Sequence, residues 1–225
     1  MAVLSDKSEK DAEIVKPRQV DNLPPQQQTP TLQKALDLAL QHHTAGELSK
    51  AEEIYQQILE TDCNHPDALH FLGVIYHQAG ENDRAVDFIM KALTVKPNYP
   101  QAHSNLGLAL HQLGRLDDAV IHFNKAVDIK PNYAEAHSNL GVVLQELGML
   151  EEARASCQKA IGIKPDYVEA QCNLSLVLQE LGLLDEAVAN YRKALTIKPD
   201  VAEIYNNLGN ALKELGKFDE AIASY

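Results

Sequence analysis

Gly80, Gly114, Gly148, Gly182 and Gly216 stand 34 residues apart. Pro97, Pro131, Pro165 and Pro199 keep the same interval, and so do Ala51, Ala85, Ala119, Ala153, Ala187 and Ala221. Three residue types on one period exclude coincidence. A chain built this way folds as stacked supersecondary units, each burying its apolar face against the next, rather than around one central core.

One period reads as two helices. From Gln101 to Leu113 the apolar residues Ala102, Leu106, Ala109, Leu110 and Leu113 form a helical stripe. Gly114 stands where a left-handed residue would end that helix. Asp117 and Asp118 then place negative charge at the positive end of a second helix, whose apolar face is Ala119, Val120, Phe123, Ala126 and Val127. Lys130 complements its negative end and Pro131 stops it. Gly107 and Ala119 mark the place where the two helices approach closely. Helices of about fourteen residues are marginal alone in water, so stability must come from stacking.

The remaining composition narrows the class. The chain has 225 residues, 45% of them hydrophobic, which is enough to build a core. No run approaches the eighteen or so apolar residues of a membrane span, and the start, "MAVLSDKSEK", lacks the apolar centre of a signal peptide. A cytoplasmic protein is therefore expected. A formal net charge of −12 disfavours nucleic acid and anionic membrane surfaces as partners and suits basic or neutral proteins. Cys63, Cys157 and Cys172 are odd in number and without CxxC spacing, so free buried thiols are expected rather than a disulfide or zinc framework.

The repeated positions spell a pattern. It runs Leu69, Leu72, Gly73, Tyr76, Ala85, Pro97, then His103, Leu106, Gly107, Leu110, Ala119, Phe123, Pro131. The next copies are His137, Leu140, Gly141, Leu144, Ala153, Cys157, Pro165 and Gln171, Leu174, Ser175, Leu178, Ala187, Tyr191, Pro199. From about residue 32 to the end the sequence resembles the tetratricopeptide repeat family. The resemblance implies an all-α fold, a right-handed α-solenoid of antiparallel helix pairs. Repeats are placed at 32–65, 66–99, 100–133, 134–167, 168–201 and 202–225, the last ten residues short of a full copy. The first repeat is degenerate, with Cys63 in the proline place and Gln41, His42 and His43 expected to face solvent. Residues 1–31, rich in proline and glutamine, read as a disordered leader.

A second regular set lies on the first helices, opposite the buried stripe. Asn105, Asn139, Asn173 and Asn207 hold one position in four successive repeats, and helical spacing puts Glu135 and Glu146 beside Asn139, and Glu169 and Glu180 beside Asn173. Gln101 and Gln112 flank Asn105; Glu203, Asn210 and Glu214 flank Asn207. The family resemblance puts first helices on the concave side, so this row would line a groove. An asparagine offers donors and acceptors together, and a ladder of them suits the backbone of an extended peptide. At about 1 kcal/mol per bond, four give roughly micromolar binding of broad specificity. The row, written "NLG" in successive repeats, is similar to the peptide-guiding arm of O-GlcNAc transferases. That likeness covers the four asparagines only, since the second repeat has Phe71 and the first Asp37 at this place.

Other uses of the scaffold fit less well. A basic clamp for a C-terminal carboxylate is improbable in a groove whose obvious cation is Lys213. His103 and His137, like His77 and His111, recur at the period, but equivalent residues of adjacent repeats are too far apart to share one ion; repeat drift accounts for them. The sequon at Asn173 falls in a helix of a cytosolic chain and is discounted. No phosphate loop, nucleophile elbow or triad is legible, and no cofactor or metal is expected.

The expectation is a non-catalytic module that binds protein partners or extended peptides, basic or polar in character, along its inner groove. The alternative is the substrate-presenting arm of a larger enzyme, of the O-GlcNAc transferase or sulfotransferase kind, because the chain stops at Tyr225 within a helix and without a polar capping helix. The uncapped repeat would also permit oligomers.

Overall fold

The computed structural model describes residues 25–225, with side chains from residue 31. The described residues form twelve helices and no strand: α1 (Pro25–Thr44), α2 (Leu48–Thr61), α3 (Pro66–Gln78), α4 (Asn82–Val95), α5 (Pro100–Gln112), α6 (Leu116–Ile129), α7 (Ala134–Glu146), α8 (Leu150–Ile163), α9 (Val168–Glu180), α10 (Leu184–Ile197), α11 (Ala202–Glu214) and α12 (Phe218–Ser224). They pair as α1/α2, α3/α4 and so on, and each pair packs on the next.

The turn inside each pair is set by one glycine. Gly114 has φ +70°, its N–H donates to the His111 carbonyl at 2.8 Å, and the Arg115 N–H donates to the Leu110 carbonyl at 2.9 Å. This doubly bonded cap needs a left-handed residue, which glycine adopts without a Cβ penalty. It recurs at all five expected positions and at Gly46, which extends the series into the first repeat. Arg115, the residue after the glycine, already caps α6, so the chain reverses without a loop. Its side chain makes no cap bond, and Asp117 and Asp118 in the first turn offset the exposed N–H groups. At the far end Lys130, with φ −128° and ψ 85°, has left the helical region, which the following proline disfavours, and the helix stops.

The helices of a pair touch where the small residues stand. A Cβ on Gly107 would lie 2.9 Å from the Phe123 ring, one on Gly73 2.6 Å from Ile89, and one on Gly141 2.5 Å from Cys157 Sγ. In these repeats, and at Gly209 facing Tyr225, the second helix thus drives a side chain into a slot that glycine leaves open. In the fifth repeat Ser175 takes the slot and stays wholly buried because its hydroxyl donates to the Gln171 carbonyl at 2.8 Å. One apolar cluster runs from Leu36 in α1 to Val177 in α9; Cys157, Leu174, Leu178 and Ala187 form a second, and Val188, Tyr191, Ile204 and Leu208 belong to a third at the end of the stack.

Curvature follows from unequal neighbours. The first helices of successive repeats touch one another, α3 with α5, α5 with α7 and α7 with α9, whereas second helices do not pack closely together. The first helices therefore line the inner side.

Three expectations need correction. α1 begins at Pro25, inside the segment read as leader; residues 1–24 lie outside the described residues. His43 does not face solvent but packs edge-on to Tyr55 and Phe71, at 6.3 and 6.1 Å between ring centres, because its position falls on the apolar side of α1. The three cysteines are free, but Cys63 is exposed, lying past the end of α2 in the link to α3. Cys157 is buried, which pushes its thiol up to about 12.

The glycine slot yields a graded expectation. Gly107→Ala should cost about 1–3 kcal/mol by overpacking against Phe123, and Phe123→Leu in the same chain should recover part of it. Gly162→Ala, where an added Cβ meets nothing within 4 Å, should be stabilising by up to about 1 kcal/mol. Urea denaturation of the four chains checks the order.

Candidate peptide groove

The asparagine row lies on the inner helices, half-buried at every position, but its members differ in what holds them. Asn105 Nδ2 lies 2.8 Å from His70 Nε2, and His70 Nδ1 lies 3.0 Å from the Tyr99 hydroxyl. An amide N–H only donates, so His70 Nε2 carries the lone pair and Nδ1–H donates to Tyr99. His70 thereby fixes the carboxamide of Asn105. Burial holds His70 down at about 4, so the ring is neutral at pH 7.

Asn173 is held in another way: its Nδ2 donates to Ser138 Oγ at 3.1 Å. Asn139 and Asn207 make no side-chain hydrogen bond within the described residues.

The glutamates divide similarly. Glu146 accepts from His111 Nε2 at 2.8 Å, and Glu180 from Gln145 Nε2 at 2.6 Å, each across a repeat boundary. Glu135 lies 4.0 Å from Lys164, a distance that adds little at an exposed surface. Glu169 is exposed and, among the described residues, forms neither a hydrogen bond nor an ion pair. Of the eight residues singled out in the sequence, the structure brings Asn173, Asn207 and Glu169 together. They line a cavity of about 290 Å³ with Cys172, Leu176 and Glu203. A second cavity of about 400 Å³ continues from it through Leu176 and Asn207 to Asn210, Lys213, Glu214 and Phe218. The groove thus lies over the last two repeats, with Leu176 and Phe218 as its apolar floor and a rim of three carboxylates, Glu169, Glu203 and Glu214, and two amines, Lys198 and Lys213. Sequence reasoning missed Cys172, Lys198 and Phe218, which come from outside the asparagine face and meet it only when the fifth and sixth repeats stack.

The recurring histidines have a shared structural role. His103 and His137 lie 3.0 Å through Nε2 from the carbonyls of Pro97 and Pro131, and Gln171 donates to that of Pro165 at 2.8 Å. Each satisfies a carbonyl six residues earlier, which drift alone would not preserve. Among the described residues no group of three or more His, Cys, Asp or Glu is placed to hold a metal. No described helix is long and apolar enough to cross a membrane.

The fold matches known proteins. The TPR repeat family matches residues 73–114, 109–148 and 180–216, and the tetratricopeptide repeat description matches 134–167. Those segments span more than half of the chain, which belongs to the tetratricopeptide repeat family. The crystal structure of MamA is 27% identical over 73% of this chain and 96% of that one, with a TM-score of 0.65. YrrB, described as a TPR protein with an unusual peptide-binding site, is 25% identical over 74% of this chain and 86% of its own, with a TM-score of 0.62. PilW, a type IV pilus biogenesis factor, shares the fold at a TM-score of 0.79 and 21% identity, over 86% and 90% of the two chains. These confirm the right-handed α-solenoid. No protein of curated function matches the chain in sequence.

His70 gives the site a pH signature. Its folded-state value lies below the unfolded one, so the unfolded chain binds the extra proton between about 4 and 6.5 and stability falls as pH drops through that window. On linkage alone, this group removes on the order of 3 kcal/mol between pH 7 and pH 4. His70→Ser, which gives Asn105 the kind of partner Asn173 has, should flatten that dependence, read as melting temperature against pH.

Proposed function

We propose that this chain is a protein-interaction scaffold that captures an extended, basic or polar peptide segment in the concave groove of its last two repeats and performs no chemistry itself. The observation that carries this reading is the continuous groove joining the two cavities at Leu176 and Asn207. It puts two carboxamides, an apolar floor and the carboxylates of Glu169, Glu203 and Glu214 within reach of one ligand strand. Carboxamides suit a peptide backbone, the floor suits an apolar side chain, and the rim suits lysine or arginine. The peptide-binding site of YrrB supports such a use of this fold. Asn105 and Asn139 extend the path, and Glu135, Glu146 and Glu180 add negative potential along it. Fused to a catalytic domain, the same row would present substrate segments to it, and four asparagines in register favour that use too.

The free thiols suit a reducing cytoplasm. Ile222, outside the groove lining, is 72% exposed, and this side of α12 is a second contact surface through which copies of the chain associate. Light scattering should then show concentration-dependent dimers for the native chain and a monomer for Ile222→Glu.

For the groove, a basic extended peptide should bind with roughly micromolar affinity that weakens as salt rises. Asn173→Ala with Asn207→Ala should lower the affinity about thirtyfold, from about 1 kcal/mol at each site, while Asn139→Ala changes it little. Titration calorimetry decides. Equal affinity for the double variant and the native chain would remove the groove from the reading.

A further inference from the structure

The outer side of the third repeat carries a cavity of about 480 Å³ between α4, α5 and α6, within the range of about 300–1,000 Å³ usual for small-molecule sites. Met90, Leu93, Leu106 and Ile129 give it mostly hydrocarbon walls. Its polar feature is a pair of histidines. His103 Nδ1 and His122 Nδ1 lie 3.0 Å apart, with the rings stacked at 5.3 Å.

The protons on this pair are determined by what surrounds it. The Pro97 carbonyl, 3.0 Å from His103 Nε2, only accepts, so that nitrogen carries the hydrogen. In the neutral ring His103 Nδ1 is then a bare acceptor, and His122 must donate to it through Nδ1–H. His122 Nε2 is left with a lone pair and, among the described residues, no hydrogen-bond partner. Burial, followed by the neighbouring His103, holds His122 down at about 4, so the acceptor stands at neutral pH. The titratable groups near it are Arg115, which caps α6, Asp118 and Lys125 on α6, and the neutral His103 on α5; α4 faces the cavity with Met90, Leu93 and Thr94. Lys125 and Asp128 are the charged residues of the lining, and one of each sign favours a neutral ligand. The arrangement is particular to this repeat, because the places of His122 in the neighbouring copies hold Phe88, Ser156 and Asn190.

We propose that this cavity binds a small, neutral, planar aromatic molecule carrying one N–H or O–H donor, of the indole or phenol class. The donor meets His122 Nε2 and the ring lies among Met90, Leu93 and Ile129. The site is separate from the concave groove and does not depend on it.

Indole and 1-methylindole, titrated into the full chain at pH 7 and followed by calorimetry and amide chemical shifts, test the proposal without any substitution. Indole should saturate one site and bind about tenfold more tightly than 1-methylindole, which has the same ring but leaves the acceptor unpaired. His122→Phe should keep the ring stack and abolish that tenfold preference. His103→Gln keeps the Pro97 bond, as Gln171 keeps that of Pro165, but frees the tautomer of His122, and should reduce the preference. No saturable binding of indole, equal binding of the two probes, or a preference that survives His122→Phe overturns the assignment. N-acetyltryptophanamide binding tenfold more tightly than indole would also overturn it, because the site would then take a partner's side chain rather than a free molecule.

Discussion

Everything in this solenoid depends on how closely the two helices of a pair can approach. With glycine at position 107 the Phe123 ring reaches the backbone of the facing helix, and Ala119 and Ala126 are buried without trace beside it. A glycine inside a helix costs roughly 1 kcal/mol against alanine, and the contact it permits must exceed that. The slot accepts Ile89, Phe123 or Cys157 in turn, so the backbone spacing is held while the side chain filling it varies. Close pairs make thin hairpins, and thin hairpins can only be stable in a stack.

Stacking then creates two unlike surfaces. On the inside, first helices of successive repeats touch, and polar side chains that line them bond across the three boundaries between α3 and α9 at a separation of 35 residues: His70 with Asn105, His111 with Glu146, Ser138 with Asn173, Gln145 with Glu180. The row on the inner side is therefore also part of what couples the repeats. An inward-facing asparagine whose N–H is already bonded needs no reorientation to accept a bond from a ligand, which lowers the ordering cost of binding. On the outside the second helices diverge, and the gaps between them take their character from whichever residues the repeats happen to bring together.

The histidines show how one residue type serves different ends in this setting. At the inner boundary His70 is buried and neutral, bonded to Tyr99 through one ring nitrogen and to Asn105 through the other. At the start of the third and fourth repeats His103 and His137 satisfy proline carbonyls that would otherwise lack a partner. Where a second histidine stands opposite His103, the chain of bonds runs on to His122 and ends on its Nε2 lone pair.

The sequence alone determined the twelve-helix plan, the turns, the glycine slots and the inner asparagine row. All of these follow from spacing along one helix or one hairpin, and a period of 34 reports them directly. Gly46 was legible by the same rule, though the degenerate residues around it hid the copy. Only the tertiary structure decided which asparagines stay free, that His43 turns inward, that Cys63 is exposed, and that cavities open beside Asn207 and His122. Those outcomes depend on pairs of residues from neighbouring repeats, as Asn173 with Ser138 or His103 with His122. Periodicity says that two such positions meet, but the chemistry of the meeting lies in where the repeats differ.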